Sequence, residues 1–148
     1  MQSFSLITGH EEVLAVFGRW PSFHDGEIHR LLLDSTRTDG KGSRYPSIEV
    51  AIRGWNLTEH VSAEGFYRTE ADSVVTLLFE RVYDVELDGL NHQNVLAELS
   101  LSEVSNPDSQ GKKHLAVEFV HCYGLSGGFK AATAKVLSVI PFSAASAA

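Results

Sequence analysis

The chain has 148 residues, 43% of them hydrophobic and 21% charged, and its 19 acidic and 12 basic side chains give a formal net charge of -7. One domain of this size buries roughly 70% of its unfolded surface, enough for a core without metal or disulfide, and the composition excludes a disordered chain. An acidic surface disfavours nucleic-acid phosphates, no apolar run approaches the ~18 residues of a membrane span, and Met1–Leu6 lacks signal-peptide character, so a soluble cytoplasmic protein is expected, without nucleic-acid or membrane partners.

Thr8-Gly9-His10-Glu11 has the form of a capping box, in which the Thr8 hydroxyl and Glu11 carboxylate satisfy each other's backbone N–H groups. Val13, Leu14 and Phe17 then share one helical face, Gly18 suits a left-handed stop, and Pro21 forces Trp20 out of helical geometry. These signals predict one short helix over about 9–18. From Glu27 the period becomes two. Glu27–Asp34 reads as a strand, with Leu31-Leu32-Leu33 either buried on both faces or carrying a bulge. Ser35–Pro46 reads as a loop. Ile48, Val50 and Ile52 alternate with Glu49, Ala51 and Arg53, the mark of a half-buried strand.

The stretch from Leu57 to Asp72 is ambiguous, with a strand start possible at Phe66-Tyr67. From Val74 the alternation is the strongest in the chain: Val75, Leu77, Phe79, Tyr83, Val85 and Leu87 take one parity, and Thr76, Glu80, Asp84, Glu86 and Asp88 the other. Gly89 turns the chain. Val95–Val104 reads as a strand anchored by Leu96 and Leu99, and Ser105–Lys113 as a loop. Leu115, Val117, Phe119 and Tyr123 alternate, Gly124–Gly128 is hairpin chemistry, and a last strand runs from Phe129 to about Ile140. The expected fold is α+β and mostly β: an antiparallel sheet or small sandwich of six to seven strands with one short N-terminal helix. One domain over 1–142 is expected, with residues 143–148 a frayed Ala/Ser tail.

No complete catalytic, metal or cofactor motif is present, and no cofactor is expected. Phe23, His24, Asp25 and Glu27 form the most suggestive cluster. An imidazole beside carboxylates suits a metal-dependent hydrolase. Adjacent residues on an extended chain face opposite ways, though, and Asp25-Gly26 is turn chemistry. The alternative is structural: Phe23 buried, His24 satisfying buried backbone groups, and Asp25 accepting backbone hydrogen bonds in the turn. The single cysteine, Cys122, cannot form an internal disulfide, and it is expected as a small core residue with His121 pointing away. His92 and His114 are expected at the surface. Trp20, Trp55, Phe66 and Tyr67 could instead line a small-ligand pocket between sheet and helix. Glu80, Asp84, Glu86 and Asp88 line one face of one strand, either as a solvated face or as an anionic patch for a basic protein partner.

Trp20-Pro21-Ser22-Phe23-His24-Asp25-Gly26-Glu27-Ile28 resembles the opening of the immunity protein 50 family of bacterial polymorphic toxin systems, and Leu87–Leu96 is similar to a later segment of that family. The resemblance covers about a seventh of the chain. It implies a non-catalytic protein that binds and neutralises a toxin domain, and it assigns no catalytic role to His24 or Asp25.

Overall fold

A computed structural model describes residues 2–61 and 67–143. In chain order the elements are a 3₁₀ turn (Ser3–Leu6), β1 (Ile7–Thr8), α1 (His10–Phe17), β2 (Glu27–Thr38), β3 (Arg44–Val61), β4 (Tyr67–Asp88), β5 (Val95–Ser105), a 3₁₀ turn (Pro107–Ser109), β6 (Lys113–Tyr123) and β7 (Ser126–Pro141). The strands form one seven-stranded sheet ordered β1-β7-β4-β3-β2-β5-β6. Antiparallel pairing dominates, with β1 alone running parallel to β7. Of the two architectures expected, the structure is the single sheet, and that sheet curls on itself. β7 pairs with β4 along one edge and, over Gly127–Ala131, with Leu115–Phe119 of β6 along the other. The remaining seam, β2 against β5, is one residue pair, Glu27 opposite Val95.

The inside of the curl is packed with side chains. Ile48, Val50 and Ile52 of β3, Val75, Leu77 and Phe79 of β4, and Leu115, Val117 and Phe119 of β6 are all at most 2% exposed, as period-two patterning requires. The Phe79, Phe119 and Phe129 rings meet edge-on or tilted, with centroids 5.1 and 6.0 Å apart. α1 lies against β7 and β4 and adds Val13 and Phe17 to this core. Gly18 ends it in the left-handed conformation, its N–H donating to the Leu14 carbonyl at 2.8 Å.

Four local expectations are corrected. Thr8 makes no capping box: it belongs to β1, and Gly9, at φ 86°, is the N-cap with no side-chain cap bond. The Ser35–Pro46 segment is no open loop, because β2 runs to Thr38 and β3 begins at Arg44, leaving a turn that Asp39 closes by accepting from the Lys41 and Ser43 N–H groups. Leu31-Leu32-Leu33 is not buried on both faces: register shifts after Ile28 and Asp34 bracket it, and Leu32 and Leu33 are 48% and 58% exposed. In β4 the parity fails after Phe79. Arg81 sits at φ 57° and Asp84 at φ 51°, so Val82 takes the inward position and Val85 faces outward.

At the break, Arg81 meets a side chain of β3. Its guanidinium lies 4.5 Å from the buried Tyr45 ring, and the Tyr45 hydroxyl donates to Glu80 Oε2 at 2.6 Å. Donating that hydrogen bond, with burial and the Glu80 charge adding, holds the Tyr45 phenol above its ordinary pKa. The protonated phenol is the form the fold favours, so its contribution is complete below about pH 10 and lost as pH rises through the raised value. Ultraviolet difference titration is expected to show a phenol ionising above the ordinary tyrosine range. That step should be absent from Tyr45→Phe and moved down in Glu80→Gln; an unchanged profile in Glu80→Gln would contradict the assignment.

Candidate functional site: an acidic trough across the sheet

The site begins with two glycines. Gly127 and Gly128 open β7 where it is paired on both sides at once, with Glu86–Leu87 of β4 and with Glu118–Phe119 of β6. A Cβ at Gly127 would run into the Glu86 carbonyl, and one at Gly128 into the Val117 carbonyl, so close approach of three strands requires glycine at both positions. The same absence of side chains leaves a gap on the outer face. In register, Glu86, Gly128, Glu118 and Ser100 follow one another across β4, β7, β6 and β5. Two glutamates therefore flank a position that bears no side chain. The resulting open groove, of about 650 Å³, is lined also by Asp84, Ser102, Ala116 and Lys130.

Its electrostatics are one-sided. Lys130 Nζ lies 3.0 Å from Asp84 Oδ2, and both are largely exposed, so the pair contributes little to stability. Glu86 and Glu118 are exposed, and neither has an ion-pair partner among the described residues. Three carboxylates thus face one ammonium.

Of the acidic residues singled out in the sequence, Asp84 and Glu86 line the trough, while Asp88 is exposed at the end of β4 opposite Ser126. Glu80 stands apart, accepting from Tyr45 and lying 3.8 Å from Lys135. Glu80 lies beyond the left-handed residues Arg81 and Asp84 and takes no part in the trough. Glu118 and Gly128 were missed. Their signal is a glutamate between the inward Val117 and Phe119, and a Gly-Gly pair at the start of a strand pattern.

Phe23–Gly26 form a tight turn that leads into β2. Phe23, at 2% exposure, meets Phe17 and Trp20 edge-on at 6.4 and 6.3 Å, and Trp20 stacks on Phe4 at 5.3 Å. The Gly26 N–H donates to the Phe23 carbonyl at 2.8 Å, closing a tight turn with Asp25 left-handed at φ 61°. His24 is exposed and bonds through Nδ1 to the Ala97 carbonyl at 2.9 Å, so it does not serve buried groups. The Asp25 carboxylate, contrary to expectation, accepts no backbone hydrogen bond among the described residues. It is 59% exposed and lies 3.6 Å from His24 Nε2, while the Asp25 N–H donates to the Leu96 carbonyl at 2.9 Å. Aspartate is there because its short side chain tolerates the left-handed region. Asp25→Gly is accordingly expected to keep stability within about 0.5 kcal/mol, and Asp25→Val to lose about 1–2 kcal/mol. Urea unfolding checks both; equal losses would show that the carboxylate itself matters.

Glu27 lies apart from this turn, in a second groove with His29, Arg53, His92 and Phe142. Among the described residues no three His, Cys, Asp or Glu side chains converge as metal ligands. Arg53 is bound twice by Asp72, at 2.9 and 2.8 Å, and covers the Phe142 ring at 3.7 Å. Cys122 is exposed, not a core residue, because the inward alternation of β6 stops at Phe119. His114 is half-buried and shares a 2.8 Å hydrogen bond with the Tyr83 hydroxyl. Trp20 packs against the core and Trp55 lies beside Arg53; of the proposed ligand-pocket residues, Phe66 is outside the described residues. No described helix is long and apolar enough to cross a membrane.

No family model, curated protein or solved structure matches this chain.

Proposed function

We propose that this chain is a non-catalytic binding protein that occupies and neutralises a basic protein domain, a toxin in the setting that the resemblance of Trp20–Ile28 and Leu87–Leu96 implies. The observation that carries the reading is the trough: Asp84, Glu86 and Glu118 line one groove, with the two glutamates separated by the side-chain-free Gly128, on a chain of net charge -7. A lysine or arginine reaching into that gap meets unpaired carboxylates on two strands. The strands beneath are paired with one another, so binding does not require the backbone there to be ordered first. Acidic charge steers the encounter and raises association above the ordinary ~10⁵–10⁶ M⁻¹s⁻¹, most at low salt. Affinity beyond that comes from desolvated contacts at the centre of the trough, where Ala116 and the serines Ser100 and Ser102 lie.

The test is co-expression with the product of the adjacent gene. The expected result is a complex that survives purification and cells that survive the toxin. Free toxin activity in the presence of excess folded chain would sink the reading.

A further inference from the structure

We infer that β2 is a self-association edge, on which a second copy of this chain adds its own β2 in antiparallel register centred on Leu32. β2 pairs with β3 along one side; along the other, no described strand pairs with it beyond Glu27. Proteins commonly blunt such an edge with lysine, proline or cover. Here it carries Leu32 and Leu33 at 48% and 58% exposure. The register shifts after Ile28 and after Asp34 leave a regular stretch between them, Arg30-Leu31-Leu32-Leu33-Asp34.

Laid antiparallel on itself, that stretch is complementary at every position. Leu32 meets Leu32 of the second copy, each Leu31 meets a Leu33, and each Arg30 meets an Asp34. The period-two alternation keeps these pairs on matching faces: arginine, central leucine and aspartate on one side of the sheet, the flanking leucines on the other. The charged ends have capacity to spare. Asp34 Oδ1 accepts from the N–H and hydroxyl of Thr36, both at 2.8 Å, and Oδ2 has no partner among the described residues. Arg30 uses one guanidinium nitrogen on Glu49, leaving donors for a second carboxylate. The bulges at both ends stop further strand addition, so the contact is short, closed and two-fold.

Sedimentation velocity over a concentration series of the full chain tests this. The parent is expected to show a monomer–dimer equilibrium, and Leu32→Lys to weaken it at least about tenfold, because like charges meet on the two-fold axis. Arg30→Asp and Asp34→Arg should each weaken the dimer, and the double exchange should restore it, since every arginine again faces an aspartate. A parent that stays monomeric into the millimolar range overturns the inference. So does a Leu32→Lys variant that dimerises like the parent, or a double exchange that melts like the parent yet stays monomeric. Should the exchanges impair folding, Leu32→Lys decides alone, since its side chain is half exposed already.

Discussion

Phe23→Ala is expected to lower the unfolding free energy by about 3–5 kcal/mol, the range for truncating a buried phenylalanine. Phe23 is 2% exposed and forms the centre of an aromatic group with Phe17, Trp20 and Phe4. Its ring also fills the space above Gly54, where a Cβ would come within 2.7 Å of Phe23 Cδ1. β3 is held at this level by its pairing with β4 at Gly54 and with β2 at Arg53, which limits collapse into the void. Gly54→Ala should therefore destabilise on its own and be partly tolerated once Phe23 is truncated, giving a favourable coupling in a double-mutant cycle. Denaturant unfolding of the four proteins measures it; additive losses would mean that the two positions are not packed as described.

Asn94→Ala is the second large effect, expected at about 3 kcal/mol, since it strands more than one buried polar group. Asn94 is 5% exposed. Its Oδ1 accepts from the N–H groups of Asn91 and Leu125, each at 3.0 Å, and its Nδ2 donates to the Asn91 carbonyl at 2.8 Å. One amide thereby joins the loop before β5 to the loop before β7. Its own carbonyl accepts from the Ile28 N–H at 2.9 Å, the bond that closes the β2–β5 seam. Asn94→Asp keeps the acceptor and loses the donor, so an intermediate loss is expected. Hydrogen exchange should accelerate first at the Ile28 and Leu96 amides; protection unchanged there in Asn94→Ala would contradict the role.

The segments Trp20–Ile28 and Leu87–Leu96 are thus partners in space. Besides Ile28 to Asn94, the Leu96 N–H donates to the Gly26 carbonyl and the Asp25 N–H to the Leu96 carbonyl, both at 2.9 Å. The histidine and aspartate that look catalytic in the sequence stand at a turn whose backbone knits this seam.

What the sequence disclosed follows from periodicity. Ile48, Val50 and Ile52, and likewise Leu115, Val117 and Phe119, lie inward because side chains alternate on any straight strand. The alternation misleads where the chain leaves the strand region: Arg81 and Asp84 adopt positive φ, and the only local sign is a charged Arg81 in the apolar parity. Cys122 was misplaced because parity does not show where a strand outruns the core. Asp84 and Glu86 were legible as an acidic pair, but Glu118 joins them only through pairing of β6 and β4 with the same stretch of β7, contacts of long sequence separation. Leu31-Leu32-Leu33 looked like core because leucines usually are; the missing neighbour on one edge of β2 leaves two of them in solvent.

The central claim is that the carboxylates around Gly128 guide a basic partner onto this sheet. Stopped-flow association with the adjacent gene's product, run across a salt series for the parent and for the Glu86→Lys/Glu118→Lys variant, tests it most directly. Both side chains are exposed, so the variant should melt like the parent. Association is expected to be at least about tenfold slower at low salt, with a flatter salt dependence. Unchanged association rates and an unchanged salt slope in a folded variant would contradict it.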